Sequence, residues 1–430
     1  MHMRMIIIIS IFFLPILGVA QQRTGIDQWI KKNTITSEFD NILDTKPFEV
    51  FGSYIHDKRI IALGEPTHGS KEAQLLRLKL FKYLVQHNGF TTIALEAFDN
   101  SGAVNDYLLY GKGTSSEAVK AMGMWMYGTE ETKELVSWMR QYNSSHIEKI
   151  RFYGADVIYK FDFKHLKDSI SHFPEINIKL IDSIAEINER YLGKKDRAPL
   201  EILQHLKIKV NKFDKNIKEA KIEIESKVSK NYYSFLVYSI NSYKQAIDGQ
   251  IKGKKAPSYY RDSCMAANVD FISKSLSSNE KVLYGAHNAH TQYGKYRQTK
   301  TAGSFIKELH KDRFYNIGVE FGEYTFRSLI WSSRDKKYIQ NINSIASPKK
   351  NSLGEALSEI NDESFYVDFK NSIKDKTYEL LFEQRRPILY VGWLFSPGYD
   401  NDFYQKKSLS SLYDGLFYVK KSSETTFTQK

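Results

Sequence analysis

The positions of apolar residues along the chain predict buried strands that alternate with helices. Five apolar runs stand out, at residues 60–63, 91–95, 150–155, 281–286 and 314–319. Runs of this length between turn residues are typical of strands that are buried on both faces. Helical spacing follows at residues 71–85 and again within 125–142, where Thr129 is a suitable N-cap. The alternation predicts an α/β protein with a mainly parallel sheet.

The composition changes between residues 161 and 255, which are rich in Lys, Glu, Ile and Asn and contain almost no Gly or Pro. Apolar residues such as Ile178, Ile181 and Ile184 recur there at helical spacing, which predicts an inserted helical domain. We interpret it as a cap over the sheet edge, because its heptads are too irregular to favour a coiled-coil partner helix. The predicted organisation has an α/β core at 21–160 and 256–330, the helical insertion (cap) at 161–255, and a smaller C-terminal α+β portion at 331–430.

Residues 1–20 have the pattern of a signal peptide. A positive start is followed by an apolar stretch at 5–17 and by the small residues Gly18, Val19 and Ala20. The stretch is shorter than the ~20 residues of a spanning helix, so an uncleaved anchor is the less favoured alternative. We expect an exported protein, periplasmic or extracellular, with no stable membrane association after cleavage.

Charge and cysteine content narrow the function classes. The net charge is +12, but the lysines are spread along amphipathic helices and no nucleic-acid-binding motif is present, so we predict no nucleic-acid partner. Cys264 is the only cysteine, which excludes a disulfide framework. No base lies near it in sequence, so a buried core residue is favoured over a nucleophile.

An acidic residue or a histidine follows each of the five apolar runs. If the strands are parallel, their carboxyl ends open on one edge of the sheet, where α/β proteins bind ligands. An acid after a strand is also a common helix cap, which would produce the same pattern without a site. Five such ends, two of them with histidines, favour a convergent site made of Glu65, His68, Glu96, Asp156, His287, His290 and Glu320.

His68 is the predicted general base of this site. A neighbouring carboxylate, Glu65 or Glu96, would fix its tautomer and raise its basicity. The chain has no Gly-x-Ser-x-Gly motif, so we expect His68 to activate water directly. Arg77 lies in an apolar helix and needs a carboxylate or a bound anion, unless it is a surface arginine that lays its stem along apolar neighbours.

The pair His287 and His290 leaves two roles open, metal binding and hydrogen bonding to a carbonyl or oxyanion. The sequence requires no cofactor, although a divalent metal is possible. Asp262, which follows Arg261, is predicted to be the N-cap of a helix.

Further candidates concern substrate binding rather than catalysis. Trp125 and Tyr127 could line an apolar substrate pocket. Asp156 and Glu320 are predicted to contact the substrate from the strand ends.

The stretch RIIALGEPTHGS at 59–70, with the later TTIALEA, FYGADV, YRDSCMAANV and YGAHNAH, resembles the erythromycin esterase family. The family motif has LGE-x-THG, an arginine on the next helix and a strand ending in LE. The matching residues here are Glu65, His68, Arg77, Glu96, His287 and His290. Pro66 stands where the family often has another residue, so the turn is stiffer here. The resemblance implies a three-layer α/β core with an inserted helical domain, and a hydrolase that opens a macrolactone ester with water, His68 being the proposed base.

The sequence leaves three alternative hypotheses for the function. The first is an exported hydrolase of a small-molecule ester or lactone. The second is a metal-dependent hydrolase with His68, His287, His290 and a glutamate as ligands. The third is an exported protein that binds a small molecule in the same cleft without turnover. The insertion that shapes the pocket varies within the family, so a macrolide substrate does not follow from the resemblance.

Overall fold

The structure is a computed structural model. It describes residues 24–37, 47–98, 101–157, 161–192, 198–345, 348–357 and 364–428. The predicted signal peptide lies outside the described residues. Within those ranges, no helix combines the length and the apolar character needed to cross a membrane.

Strands and helices alternate along most of the chain. The strands are β1 (Thr34–Ser37), β2 (Ile60–Glu65), β3 (Phe90–Leu95), β4 (Arg151–Gly154), β5 (Lys281–His287), β6 (Lys295–Tyr296), β7 (Thr299–Lys300), β8 (Phe314–Ser332), β9 (Lys337–Ile345), β10 (Ser364–Asp368), β11 (Arg386–Leu389), β12 (Tyr404–Lys407) and β13 (Gly415–Lys421). The helices are α1 (24–33), α2 (Pro47–Ile55), α3 (Lys71–Asn88), α4 (Ser101–Asn105), α5 (Ser115–Ala121), α6 (Glu130–Ser145), α7 (Phe163–Ile170), α8 (Ile178–Tyr191), α9 (Leu200–Glu219), α10 (Lys221–Lys227), α11 (Lys230–Lys252), α12 (Tyr260–Ser275), α13 (Asn288–Thr291), α14 (Ala302–His310), α15 (Leu353–Leu357) and α16 (Lys376–Tyr378).

The chain folds into two compact units, each assembled from separate stretches of sequence. The first unit contains the described residues within 1–53, 65–76 and 317–424. The second contains those within 54–64, 77–316 and 425–430.

The second unit holds four neighbouring strands in the order β2-β5-β3-β4. β3 runs parallel to both β5 and β4. The predicted runs at 60–63, 91–95, 150–155 and 281–286 form these strands, because an unbroken apolar segment suits a strand covered on both faces. The predicted α/β class with a mainly parallel sheet is confirmed.

The described residues within 161–255 are mainly helical, as their spacing predicts. Helices α7 to α11 bury a hydrophobic cluster of their own, which includes Ile181, Ile184, Leu206, Phe213 and Ile240. Each helix is amphipathic and buries its apolar face against its neighbours. The exact domain boundaries stay a prediction.

The first unit holds strands in the order β1-β10-β13-β8, with β9 paired to β8. β13 is parallel to β8, whereas β1 with β10, β10 with β13, and β9 with β8 are antiparallel. The expected end of β8 before Glu320 is wrong, because the strand continues to Ser332. From Gly322 to Leu329, buried and half-buried positions alternate, which is the pattern of a strand covered on one face. Glu320 therefore lies inside a strand.

Candidate active site

His68 and Glu65 form a buried pair in the first unit. The Nδ1 atom of His68 lies 2.7 Å from Oε1 of Glu65, and the two side chains are 4% and 3% exposed. An ionised carboxylate only accepts hydrogen bonds, so it holds the proton of the neutral ring on Nδ1. Nε2 is then the ring nitrogen that can take a proton from another molecule, as a general base requires.

The turn that carries this pair is fixed by backbone hydrogen bonds. The amide of Val391 donates to the carbonyl of Pro66 at 3.0 Å, and the amide of Arg327 donates to the carbonyl of Gly69 at 3.0 Å. A Cβ on Gly69 would lie only 1.9 Å from the carbonyl oxygen of Arg327, so only glycine fits. These contacts hold the imidazole in one place, which is the preorganisation that catalysis needs.

The second unit gathers the side chains that follow β3, β4 and β5. Arg261, on α12, connects two of them. Its Nε donates to Oδ1 of Asp156 at 2.9 Å, and its Nη2 donates to Oδ2 of Asp156 at 2.6 Å and to Oε1 of Glu96 at 2.7 Å. Both carboxylates are 3% exposed, whereas the arginine side chain is 39% exposed. The guanidinium therefore neutralises buried acids, while part of the arginine side chain remains accessible to solvent.

His290 extends this cluster. Its Nδ1 lies 2.9 Å from Oδ1 of Asp262, and its Nε2 lies 2.9 Å from Nη1 of Arg261 and 3.4 Å from Oε1 of Glu96. Burial lowers the pKa of His290, but the charges of Glu96 and Asp262 and the Asp262 hydrogen bond outweigh burial and Arg261 and raise it overall. When Nε2 is protonated it can donate to Glu96, and when it is not it can accept from Arg261. The ring can thus give up and regain a proton with a partner in either state.

His287 and Glu96 are joined through the backbone. The amide of His287 donates to Oε2 of Glu96 at 2.8 Å, and Nδ1 of His287 accepts from the amide of Ala289 at 3.3 Å. The acceptor role of Nδ1 places the proton of a neutral ring on Nε2. His287 is only 4% exposed.

Arg77 and Tyr127 are buried next to this cluster. Tyr127 donates its hydroxyl to the carbonyl of Glu96 at 3.1 Å, and the Arg77 guanidinium carbon lies 5.9 Å from the centre of the Tyr127 ring. A Cβ on Gly285 would lie 3.1 Å from Nε of Arg77, so β5 is glycine where the arginine passes. The alternative of a surface arginine is wrong, since Arg77 is 3% exposed.

The remaining substrate-binding candidates have different surroundings. Trp125 is half-buried and its ring lies edge-on to Phe427 at 6.4 Å. Glu320 is buried in the first unit, and its Oε1 accepts from the hydroxyl of Tyr324 at 2.9 Å. Burial raises the pKa of Glu320 to about 8, although the Tyr324 hydrogen bond acts in the opposite direction. Their roles in substrate binding, and the convergence of all five strand ends, stay predictions.

Two interpretations of α12 need correction. Asp262 is not the N-cap: it is the third residue of the helix, and its Oδ1 accepts from His290 and from the amide of Ala302 at 2.9 Å. Arg261 was not among the predicted site residues. The signal was available in the charge balance, because buried acids at neighbouring strand ends require a cation.

Cys264 is a core residue. It packs with Val157, Ala246 and Tyr260. Burial raises the pKa of its thiol to about 11, which keeps it protonated and unreactive near neutral pH.

The side chains that the structure describes do not present a ready metal site. Among the described residues, no group of three or more His, Cys, Asp or Glu side chains is arranged to hold a metal ion. In the second unit, the guanidinium of Arg261 occupies the position between Glu96 and Asp156 that a cation would need. These residues as placed do not fit a metal, so no step of the chemistry below uses one.

The fold and these clusters define an α/β protein with acid–base groups at the ends of parallel strands. The family model of erythromycin esterase matches residues 85–422. The chain belongs to the erythromycin esterase family, as the sequence motifs predicted, and this membership indicates hydrolase activity.

Individual relatives agree with this assignment. "Erythromycin esterase type II" of Escherichia coli is 27% identical over 92% of this chain and 98% of its own length. A Bacillus cereus protein of known crystal structure aligns with a TM-score of 0.74 at 21% identity, over 95% of this chain and 99% of that one. A mutant of the erythromycin esterase EreC in its open conformation aligns with a TM-score of 0.63 at 15% identity, over 92% and 99%. The two structures show the shared fold.

Proposed function

We propose that the protein hydrolyses an ester or lactone and that His68 is the general base that activates water. The observation that carries this proposal is the 2.7 Å contact between Nδ1 of His68 and Glu65. A carboxylate in this position orients the imidazole and stabilises the imidazolium that forms during the reaction. Pure ligand binding requires no such pair, which favours the hydrolase over the binding protein.

The proposed reaction balances without a cofactor. Nε2 of His68 takes a proton from water while the water oxygen forms a bond to the ester carbonyl carbon. The carbonyl electrons move to oxygen and return as the bond between carbon and the leaving oxygen breaks. The imidazolium then gives its proton to the leaving alkoxide, so the products are a carboxylic acid and an alcohol, joined in one chain if the substrate is a lactone.

We propose that His290 and Arg261 supply positive charge to the same reaction. The pKa of His290 is raised, and part of the arginine side chain is accessible to solvent, so both suit stabilisation of a developing oxyanion. If both clusters serve one reaction, the double variant His68→Asn/His290→Asn will lose much less than the product of the two single losses. Fully multiplicative losses would contradict a shared reaction.

The test of the activity is a mass-spectrometric screen for the gain of one water. Macrolides are the first class to test, because the curated relative is named an erythromycin esterase. Simple lactones and linear esters follow. His68→Asn should abolish turnover of any substrate found and leave the circular-dichroism spectrum unchanged. Unchanged turnover in a folded His68→Asn variant would reject the mechanism.

We also propose export, on the strength of residues 1–20. Expression of the full chain in a Gram-negative host, followed by N-terminal sequencing of the secreted or periplasmic protein, should yield a mature chain that begins at Gln21. Recovery of the intact chain in the cytoplasm alone would contradict this proposal.

A further inference from the structure

A cavity of about 210 Å³ lies within the second unit, between α4, the π-helical turn at Asp106–Tyr110, the start of β4, α7 and the start of α11. Its lining combines charged and aromatic side chains. Those that carry the argument are Asp106, Tyr110, Arg151, His165, Tyr232 and Phe235. None of them has a role in the hydrolysis proposed above.

The cavity is separate from the cluster at the strand ends. Arg151, which lines it, is the first residue of β4, whereas Asp156 follows the end of that strand. None of the residues that line the cavity belongs to the Arg261 cluster.

Aromatic side chains form much of the cavity wall. Tyr110, Tyr153, Tyr232 and Phe235 all line it. The hydroxyl of Tyr232 donates to the carbonyl of Ser169 at 2.8 Å, which fixes that ring. An apolar cavity of roughly 150 Å³ holds a benzene molecule. The present cavity is larger, so it has space for one ring with a small substituent.

The cavity also contains a weakly paired cation. Nη1 of Arg151 donates to the carbonyl of Lys149 at 3.1 Å and lies 4.0 Å from Oε1 of Glu280. That carboxylate already accepts hydrogen bonds from Ser277 and Thr91. Among the described residues, the guanidinium thus makes a long ion pair with Glu280 but no hydrogen bond to a carboxylate. A ligand carboxylate would supply one in bidentate geometry.

The acidic residue of the cavity does not cancel this charge. Oδ2 of Asp106 lies within hydrogen-bond distance of Nε2 of His165, at 3.3 Å, and accepts from Nζ of Lys112 at 3.2 Å. The ring of His165 in turn packs against Gly102, where a Cβ would lie 2.4 Å from its Cε1 atom. The wall is therefore closely fitted, and its net charge favours an anion. π-helical turns such as the one that carries Asp106 and Tyr110 occur frequently at functional sites.

We propose that this cavity is a second binding site, which takes a small aromatic carboxylate with its ring between the tyrosines and Phe235 and its carboxylate on Arg151. The aromatic walls and the volume of the cavity suit one ring, and the weakly paired guanidinium of Arg151 suits a carboxylate. The site is independent of ester hydrolysis.

Isothermal titration calorimetry of the full chain tests the proposal, with benzoate, 4-hydroxybenzoate and phenylacetate as probes and benzyl alcohol as the uncharged control. We expect saturable one-site binding of at least one acid and no measurable binding of the alcohol. Arg151→Gln should weaken binding at least tenfold. Arg190→Gln, at an exposed arginine on α8, is the matched control and should leave binding unchanged.

A second variant keeps the proposal testable if Arg151→Gln does not fold. Ser169→Phe adds a ring to the cavity and should abolish binding while circular dichroism shows a folded protein. His68→Asn should bind the probe as the wild type does, so a failed hydrolysis assay would leave this test unaffected. The proposal would be overturned if none of the acids binds, or if Arg151→Gln and Ser169→Phe both bind the acid as tightly as the wild type does. Loss of binding in His68→Asn would also overturn it.

Discussion

Arg261 binds Asp156 through two parallel hydrogen bonds, from Nε to Oδ1 at 2.9 Å and from Nη2 to Oδ2 at 2.6 Å. The same Nη2 reaches Glu96, so one guanidinium joins the ends of two neighbouring parallel strands. Bidentate pairs of this kind are the strong ones, because they combine charge with fixed geometry. Arg261 therefore holds the cluster together as well as adding charge to it.

Removal of this guanidinium should destabilise the protein. Arg261→Leu leaves Asp156 and Glu96 buried without their cation, which typically costs about 3–5 kcal/mol when one partner of a buried pair is lost. The arginine is partly exposed, so we expect the lower end, about 3 kcal/mol, in urea unfolding at pH 7. Arg261→Lys keeps the positive charge but cannot form the bidentate hydrogen bonds, so it should lower the free energy of unfolding by less than Arg261→Leu does. A change below about 0.5 kcal/mol in Arg261→Leu, the level of ordinary surface substitutions, would show that the pair is not structural.

Glu65→Gln should impair catalysis far more than folding. An amide can present its NH₂ group to Nδ1 of His68, which selects the wrong tautomer and removes the charge that stabilises the imidazolium. We expect kcat/KM to fall by about 10²- to 10⁴-fold, measured with a substrate from the screen. Glu49→Gln, at an exposed position on α2, is the matched control and should retain activity. Near wild-type kcat/KM in folded Glu65→Gln would remove the carboxylate from the mechanism.

Gly69→Ala should displace the turn that carries His68. The new Cβ would lie 1.9 Å from the carbonyl oxygen of Arg327, so the backbone must shift. We expect a lower melting temperature and a loss of activity larger than the loss of stability explains, measured on protein that is still folded. Gly392→Ala is the control, because a Cβ there meets no atom within 4 Å and the φ angle is not positive. Equal behaviour of the two variants would contradict the close contact.

Glu320→Gln should change how stability depends on pH. The pKa of Glu320 is about 8 in the folded protein and near 4.5 when exposed, so between these values the folded state binds more protons than the unfolded state. The contribution of Glu320 to stability is thus fully present below about pH 4.5 and is lost as pH rises towards 8. Relative to the wild type, the variant should gain up to about 4 kcal/mol between pH 5 and pH 8, at about 1.4 kcal/mol per pKa unit.

Chemical denaturation of both proteins at several pH values measures this difference. Glu323→Gln, at a partly exposed position on the same strand, should show no comparable trend. A difference between Glu320→Gln and wild type that is constant from pH 5 to pH 8 would mean that Glu320 is ionised in the folded protein.

Local sequence patterns were enough to predict most of the strands and helices. The N-cap at Thr129 was predicted from one side chain and the helical spacing after it, and its hydroxyl does accept from the amide of Thr132 at 3.2 Å. The strand end at Glu320 could not be found in this way. It depends on whether β8 gains a partner beyond that residue, and that partner, β9, lies further along the chain.

The sequence by itself determined the family, the α/β class and the parallel strands, because these depend on motifs and unbroken apolar runs. It limited the carboxylate partner of His68 to Glu65 or Glu96, and the tertiary structure selected Glu65. Only the tertiary structure decided that Arg261 and Asp262 join Glu96, Asp156 and His290. Those contacts bridge 28 to 165 residues of chain, and no local spacing encodes which distant cation will neutralise a buried acid. The folded backbone brings them together, and the high free-energy cost of an unpaired buried charge then selects the partner.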